Sequence, residues 1–228
     1  MKIEVVQKVL KHNEQAARDN RTRLDAAGIC CVNILGGAGC GKTSLLEALV
    51  PRLRERFRIA VLEGDLETTR DAERIAALNT PVVQLLTGGG CHLNATQVQE
   101  GLNRLPLGEL DLIFIENVGN PICPAGFDLG EHLRLAVLSV AEGHDKLAKY
   151  PPLFRDADAV VLSKCDLLEL ADFDPGVLEQ DLGRLNPRAP LFRTSVRSGE
   201  GFAELAGWVT QRVGCGGERP ADSRRRRG

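Results

Sequence analysis

Apolar residues recur along this chain with two different periods, and the switch between them outlines the fold. Over residues 1–27, Val5, Val6, Val9, Leu10, Ala16, Ala17 and Leu24 return every three or four positions between charges. That spacing predicts one amphipathic helix, expected to pack on the sheet of the domain that follows. Short, nearly solid apolar runs then alternate with helix-like stretches. Strands are predicted at 29–35, 59–63, 81–86, 110–115, 132–140, 159–162 and 191–194. Helices are predicted at 44–56, from about Thr69, at 94–104, from Asp174-Pro175 and in a closing run through Trp208. An aspartate followed by proline is a strong start signal, because proline fits the first turn and the carboxylate caps it. Lys146 to Phe154 reads as a connection broken by its prolines. Buried strands alternating with helices indicate an α/β fold, a mostly parallel sheet with helices on both faces in three layers. The expected organisation is the helix at 1–27, a single domain at 28–214 and a disordered basic tail at 215–228, with no internal repeat.

The chemistry starts at Gly36-Gly-Ala-Gly-Cys-Gly-Lys-Thr-Ser44, which fits the phosphate-loop pattern at Gly36, Gly41, Lys42 and Thr43. A strand precedes it and a helix follows, as the chemistry requires. Backbone N–H groups of Gly36, Gly37, Gly39, Cys40, Gly41 and Ser44 can curl round one anion at a helix N-terminus. Lys42 would reach the β- and γ-phosphates, and Thr43 would offer its hydroxyl to Mg²⁺. Asp65 leaves the carboxyl end of a strand, where ligands of open parallel sheets sit. It either approaches Mg²⁺ or caps the next helix. Glu116 ends another strand and can serve the same ion, while the Gly119 N–H can meet a γ-phosphate.

Ser163-Lys164-Cys165-Asp166 is a variant of the [NT]-K-x-D guanine motif. A carboxylate at Asp166 can accept from guanine N1–H and the exocyclic amine, donors that adenine lacks there. The Lys164 stem would cover the base, and Ser163 stands where a longer residue is commoner. Ser195-Val196-Arg197 is placed to touch the guanine carbonyl through its backbone. A surface turn after a strand is the competing interpretation of this motif.

Composition narrows the partners. A net charge of −2 with 26% charged residues gives no basic stripe for nucleic acid, and 43% hydrophobic residues suit a water-soluble protein. No apolar run approaches the roughly 20 residues that span a bilayer, and the charged start is not a secretory signal, so a cytoplasmic protein is expected. Arg224 to Arg227 reads as a solvated tail, with a nucleic-acid or membrane tether as the alternative. The seven cysteines are odd in number and scattered, which suggests buried thiols and a metal site rather than disulfides. Cys91, His92 and Cys123 each follow a strand's carboxyl end and offer ligands suited to Zn²⁺ or Ni²⁺. Three donors leave a four-coordinate site incomplete, which a second copy of the chain would complete. Spacing alone leaves buried structural cysteines as an equal alternative. Cys30 and Cys31 read as core. Cys40 and Cys165 lie in the phosphate loop and the base motif, where either could be an unusually reactive thiol. His12, His132 and His144 have no cysteine nearby in sequence and read as ordinary histidines.

Taken together, Gly-Gly-Ala-Gly-Cys-Gly-Lys-Thr, Glu63-Gly-Asp-Leu-Glu-Thr-Thr-Arg-Asp-Ala-Glu-Arg-Ile75, Gly-Gly-Gly-Cys91-His92-Leu, Ile115-Glu-Asn-Val-Gly-Asn-Pro-Ile-Cys123-Pro and Ser-Lys-Cys-Asp resemble the HypB family of hydrogenase nickel-incorporation GTPases. The resemblance runs from about residue 3 to 213. It implies a GTPase of the signal-recognition and metal-chaperone class that dimerises with GTP and helps load nickel into the hydrogenase large subunit, together with a nickel-delivery partner. By resemblance, Lys42, Asp65 and Glu116 are catalytic, and Thr43, Asp65 and Glu116 hold Mg²⁺. Asp166 reads guanine, and Cys91, His92 and Cys123 bind Ni²⁺ or Zn²⁺ at a dimer interface. Slow hydrolysis of GTP to GDP, at roughly 10⁻⁴ to 10⁻² per second, is expected because no arginine finger or catalytic glutamine is evident. Some members carry a further N-terminal cysteine motif or histidine-rich tract, which is absent from this sequence. Two other functions use similar loops. A urease accessory GTPase would carry Cys-Pro-His in place of Cys91-His92, and a small-molecule kinase would prefer adenine.

Overall fold

The computed structural model describes residues 2–65 and 68–214, for 2–10 the backbone alone. The apolar positions Val5 to Leu10, Cys215 and the arginine tail lie outside the described side chains or residues. A helix α1 (Lys2–Ala26) leads into β1 (Cys30–Gly36), α2 (Lys42–Leu53), β2 (Ile59–Asp65), α3 (Arg70–Ala76), β3 (Val82–Leu86), α4 (Ala95–Leu102) and β4 (Leu112–Glu116). Then come β5 (Leu133–Ser139), the short helices α5 (Lys146–Lys149) and α6 (Pro151–Arg155), β6 (Ala159–Ser163), α7 (Pro175–Leu185), β7 (Leu191–Arg193) and α8 (Phe202–Gly214). The strands form one seven-stranded sheet in the order β3-β2-β4-β1-β5-β6-β7, and every pairing is parallel.

Period-two alternation divides the apolar side chains between the two faces. Val32, Ile34, Ile59, Val61, Leu112, Phe114, Leu135 and Val161 point to one face, under Leu45, Leu46 and Leu49 of α2 and Phe202 and Leu205 of α8. Ala136, Leu138, Val160 and Leu162 point to the other, under α5, α6 and α7. Ala60, Leu62, Ile113 and Ile115 share that second face and meet Leu24 of α1 and Val98 and Leu102 of α4. These are the three layers that the alternating pattern predicts, and they are those of a P-loop NTPase.

Two segments differ from the sequence expectation. Lys146 to Phe154 is not an open connection: Pro151 sits in the first turn of α6, where its missing N–H costs nothing, so the prolines start a helix instead of breaking one. Helix α1 reaches the sheet through Leu24, buried with Cys31, Ile113 and Ile115, but lies chiefly along α4. Asp174 caps α7 as predicted, accepting from the N–H groups of Gly176 and Val177 at 2.8 and 3.4 Å.

Candidate functional site

Every strand is parallel, so all carboxyl ends share one rim, and the chemistry gathers there. Along the α2-facing side, β2 reads Ile59, Val61, Glu63, Asp65 and β4 reads Leu112, Phe114, Glu116. Each strand thus turns from apolar to acidic as it reaches the N-terminus of α2. Register pairs Glu63 with Glu116. The Thr43 hydroxyl donates to Glu116 Oε1 at 2.7 Å, and Glu116 Oε2 is buried without a partner. Burial pushes the Glu116 carboxyl up to about 7 against the lowering effect of Thr43 and Lys42. A carboxylate oxygen left unpaired beside a hydroxyl is an oxygen donor set suited to a hard divalent cation such as Mg²⁺. The Asp65 carboxylate accepts from both the backbone N–H and the hydroxyl of Thr68, so it caps the turn that leads towards α3. It remains on the acidic rim, and capping and metal approach are compatible.

Glu63 is a site residue that the sequence analysis passed over as the end of a strand. It is 2% exposed, its Oε2 has no partner, and its carboxyl is pushed up to about 8 by burial and then by Glu116. A glutamate that closes an otherwise apolar run in period with it was the signal available.

The phosphate loop surrounds a hollow in which Lys42, only 7% exposed, donates from Nζ to the Gly37 carbonyl at 3.3 Å. Gly119 comes against the loop: a Cβ there would lie 2.8 Å from Ala38 Cα, so a side chain would push the two segments apart. An isolated bridge between Gly36 and Asn120 ties the same two segments. Next to the loop is a cavity of about 320 Å³ lined by Gly41, Ser44, Ser163, Lys164, Asp166, Val196 and Arg197. Ser163 Oγ donates to the Cys40 carbonyl at 2.5 Å and Lys164 Nζ to the Gly39 carbonyl at 2.7 Å, so the base motif is fastened to the phosphate loop. Ser195 Oγ donates to Asp166 Oδ1 at 2.7 Å, leaving the second carboxylate oxygen for a ligand. Ser163 therefore spans its shorter reach by bonding the loop itself.

Cys91 and His92 follow β3, and Cys123 opens a single 3₁₀ turn, Cys123–Gly126, after β4. Their ligand atoms all lie within 4.8 Å of one another. His92 Nδ1 is 3.5 Å from Cys91 Sγ, and the imidazole stacks on Phe127 with ring centroids 3.9 Å apart. Burial lowers the His92 pKa, which favours the neutral imidazole that ligates metals. The neighbouring Cys91 thiol raises that of Cys123. The three predicted ligands thus converge, whereas His132 is occupied elsewhere, its Nδ1 taking the Cys31 N–H at 2.8 Å. Cys40 and Cys165 are not the reactive thiols that their motifs suggest. Both are buried, and burial pushes Cys40 up to about 11 and raises Cys165 too.

The two clusters share one segment. Glu116 bonds Thr43 and Gly119 abuts the phosphate loop, and Cys123 at the end of the same stretch belongs to the cysteine–histidine cluster. Fold and site together define a P-loop nucleotide-binding protein with a metal-ligand cluster on its rim. Residues 30–193 match the nucleotide-binding domain of the CobW/HypB/UreG family. The chain is 45% identical to a hydrogenase maturation factor HypB of Azotobacter vinelandii over 93% of this chain and 70% of that one. It is 39% identical to a hydrogenase/urease maturation factor HypB of Helicobacter hepaticus over 92% of this chain and 88% of that one. A crystal structure of HypB from Helicobacter pylori in complex with nickel superposes with a TM-score of 0.85 at 34% identity, covering 89% of this chain and 95% of that one. The chain belongs to the HypB family of hydrogenase maturation factors.

Proposed function

We propose that this protein is a GTP-hydrolysing nickel metallochaperone that assists nickel insertion into [NiFe]-hydrogenase. The observation that carries the proposal is the single stretch from Glu116 to Cys123, which has a nucleotide-site carboxylate at one end and a metal-ligand thiol at the other. A nickel complex of a HypB with the same fold supports it. Residues 28–214 form the GTPase domain and carry both sites, and the protein works in the cytoplasm.

Guanine enters the cavity beside Asp166, whose free carboxylate oxygen accepts from the base while Ser195 holds the other. Val196 and the Lys164 stem flank the base plane. Backbone N–H groups of the loop from Gly36 to Ser44 cradle the phosphates, and Lys42 turns from the Gly37 carbonyl to the β- and γ-phosphate oxygens. Thr43, Asp65 and Glu116 would hold Mg²⁺, which when bound neutralises charge on those oxygens. Gly119, already against Ala38, brings its N–H to the γ-phosphate. Ordering the Gly119 segment repositions Cys123, so nucleotide state and metal affinity are linked in both directions.

Nickel is the cargo, held by Cys91, His92 and Cys123, with Zn²⁺ able to take the same donors. A second copy completes the coordination, and the exposed side chain of Ile122, next in sequence to Cys123, gives the two copies an apolar contact. The remaining partners are a nickel-delivery protein and the hydrogenase large subunit. Urease is a second candidate recipient, because the Helicobacter hepaticus relative bears both names.

The test is paired. Wild type should hydrolyse GTP in preference to ATP and bind Ni²⁺, Lys42→Ala should lose hydrolysis and keep nickel, and Cys123→Ala should do the reverse. A preference for ATP with a phosphorylated small-molecule product, or nickel binding unchanged in Cys123→Ala, would overturn the assignment.

A further inference from the structure

Helix α1 has no chemistry of its own in the proposed cycle, yet its polar side chains reach into the metal-ligand loops. Asn13, 7% exposed, accepts the Ala95 N–H at 2.8 Å on Oδ1 and donates from Nδ2 to the Asp128 carbonyl at 2.9 Å. Asn20, 1% exposed, donates to the Ala95 carbonyl at 2.8 Å and to the Leu129 carbonyl at 3.0 Å. Arg21 adds a bond from Nε to the Gly130 carbonyl at 2.7 Å. Ala95 lies three residues beyond His92. Asp128 and Leu129 directly follow Phe127, the ring on which His92 stacks, in the segment that begins at Cys123. Two buried amides of one helix therefore each tie the first residue of α4, just beyond the Cys91–His92 loop, to the segment that follows Phe127.

The packing around these amides is built for the contact. Ala16 and Ala17 of α1 meet Ala95 in a buried cluster of small residues, which lets the backbones approach. Gly130 has φ +90°, and a Cβ there would come within 2.7 Å of the Ala17 carbonyl oxygen and of Asn20 Cβ. On the opposite side, the buried Arg134 guanidinium donates to the Ala125 and Phe127 carbonyls at 3.2 and 2.9 Å while pairing with Glu131. The segment from Ala125 to Gly130 is thus gripped from α1 and from β5, and the start of α4, which follows the loop of Cys91 and His92, is held by the same residues of α1.

We propose that Asn13 and Asn20 are positioning residues of the metal site: they clamp the start of α4, three residues beyond His92, to Asp128 and Leu129, just beyond Phe127, and so set the separation of the three ligands. The proposal rests on the reading of Cys91, His92 and Cys123 as a nickel site. Amide side chains suit this role: Asn13 uses both its donor and its acceptor, Asn20 donates twice from Nδ2 while its buried Oδ1 has no partner among the described residues, and neither competes with the thiolates for the ion. Partners behind the ligands tune metal affinity because they fix where the ligands stand.

The test uses the full chain with Ni²⁺ as the probe, reading nickel affinity, the thiolate-to-nickel charge-transfer absorption and GDP affinity side by side. Asn13→Leu and Gly130→Ala loosen the clamp in different ways, so one remains informative if the other fails to fold. Arg23→Ala removes an α1 contact to the far end of α4, to Asn103 and the Leu102 carbonyl, and serves as the control for general loosening of the helix. Both clamp variants are expected to lose nickel affinity by about tenfold or more and to change the absorption band, the range typical of partners behind metal ligands. GDP affinity should stay within about twofold of wild type, and Arg23→Ala should bind nickel normally. Nickel affinity within twofold of wild type in both clamp variants would overturn the proposal. So would an equal loss of GDP affinity, or an equal nickel loss in Arg23→Ala. Cys123→Ala keeps the two failures apart: if it binds nickel like wild type, the site itself is wrong, whatever the clamp does.

Discussion

The hydroxyl of Thr43 donates to the carboxylate of Glu116 across 2.7 Å, joining the first turn of the phosphate-loop helix to the last residue of β4. The two stand 73 residues apart in the chain, and the fold makes them neighbours. If they hold Mg²⁺ together, Glu116→Gln preserves the hydrogen bond and the shape but removes the charge. GTP hydrolysis at saturating nucleotide should then fall by about a hundredfold, as for loss of one preorganised polar group, and the Mg²⁺ needed for half-maximal nucleotide binding should rise. An unchanged Mg²⁺ dependence would place the ion elsewhere.

Glu63 and Glu116 also give the nucleotide-free protein a distinctive pH dependence. Burial moves their carboxyls from 4.5 up to about 8 and about 7. The folded chain therefore holds protons that the unfolded chain releases at these two groups, so their contribution to stability is fully present below pH 4.5 and is lost as pH rises through about 7 to 8. Carboxyls shifted by that much each account for about 3 to 5 kcal/mol at most, and two facing carboxyls are not independent. Urea denaturation without metal should give a lower midpoint at pH 8 than at pH 5.5, and Glu63→Gln should flatten the difference. A midpoint that rises over this range would contradict the burial argument.

In the proposed function, base choice depends on the second carboxylate oxygen of Asp166, the one Ser195 does not hold. In Asp166→Asn an amide N–H faces the guanine donors, so affinity for GDP should drop by about a hundredfold or more. Xanthosine diphosphate, which presents a carbonyl in place of the amine, should bind the variant better than GDP does. Competition binding with both nucleotides measures this directly.

Thiol labelling separates metal ligands from core cysteines. Cys91 is exposed and Cys123 half-buried, whereas Cys31, Cys40 and Cys165 are buried. Iodoacetamide at pH 7.5 should modify Cys91 and Cys123 first, and prior addition of Ni²⁺ should protect both. Fast modification of Cys40 would mean that the phosphate loop opens.

Much of this architecture was legible in the chain because the elements are simple in period. Solid runs such as Leu112 to Ile115 mark buried parallel strands, and the glycine-lysine-threonine loop between strand and helix marks the phosphate site. The convergence of Cys91, His92 and Cys123 was legible only in outline. Spacing places each after a strand, but their meeting depends on strand order, which local patterns do not encode. Glu63 escaped notice because a strand-terminal glutamate looks solvated until its register with Glu116 is known. Asn13 and Asn20 escaped for a similar reason: on a helical wheel they are polar positions, and only the fold reveals that they are buried against two loops. The thiols of Cys40 and Cys165 were misjudged because a motif indicates proximity to a ligand and says nothing about exposure.

The central claim is that nucleotide and nickel are coupled through the segment from Glu116 to Cys123. The direct measurement is a Ni²⁺ titration of the wild-type protein with GDP and, separately, with a non-hydrolysable GTP analogue, while molecular mass is followed. The account predicts that nickel affinity and the fraction of dimer both differ between the two nucleotide states and move together, and that Cys123→Ala abolishes the difference. Equal nickel affinity in the two states would contradict it.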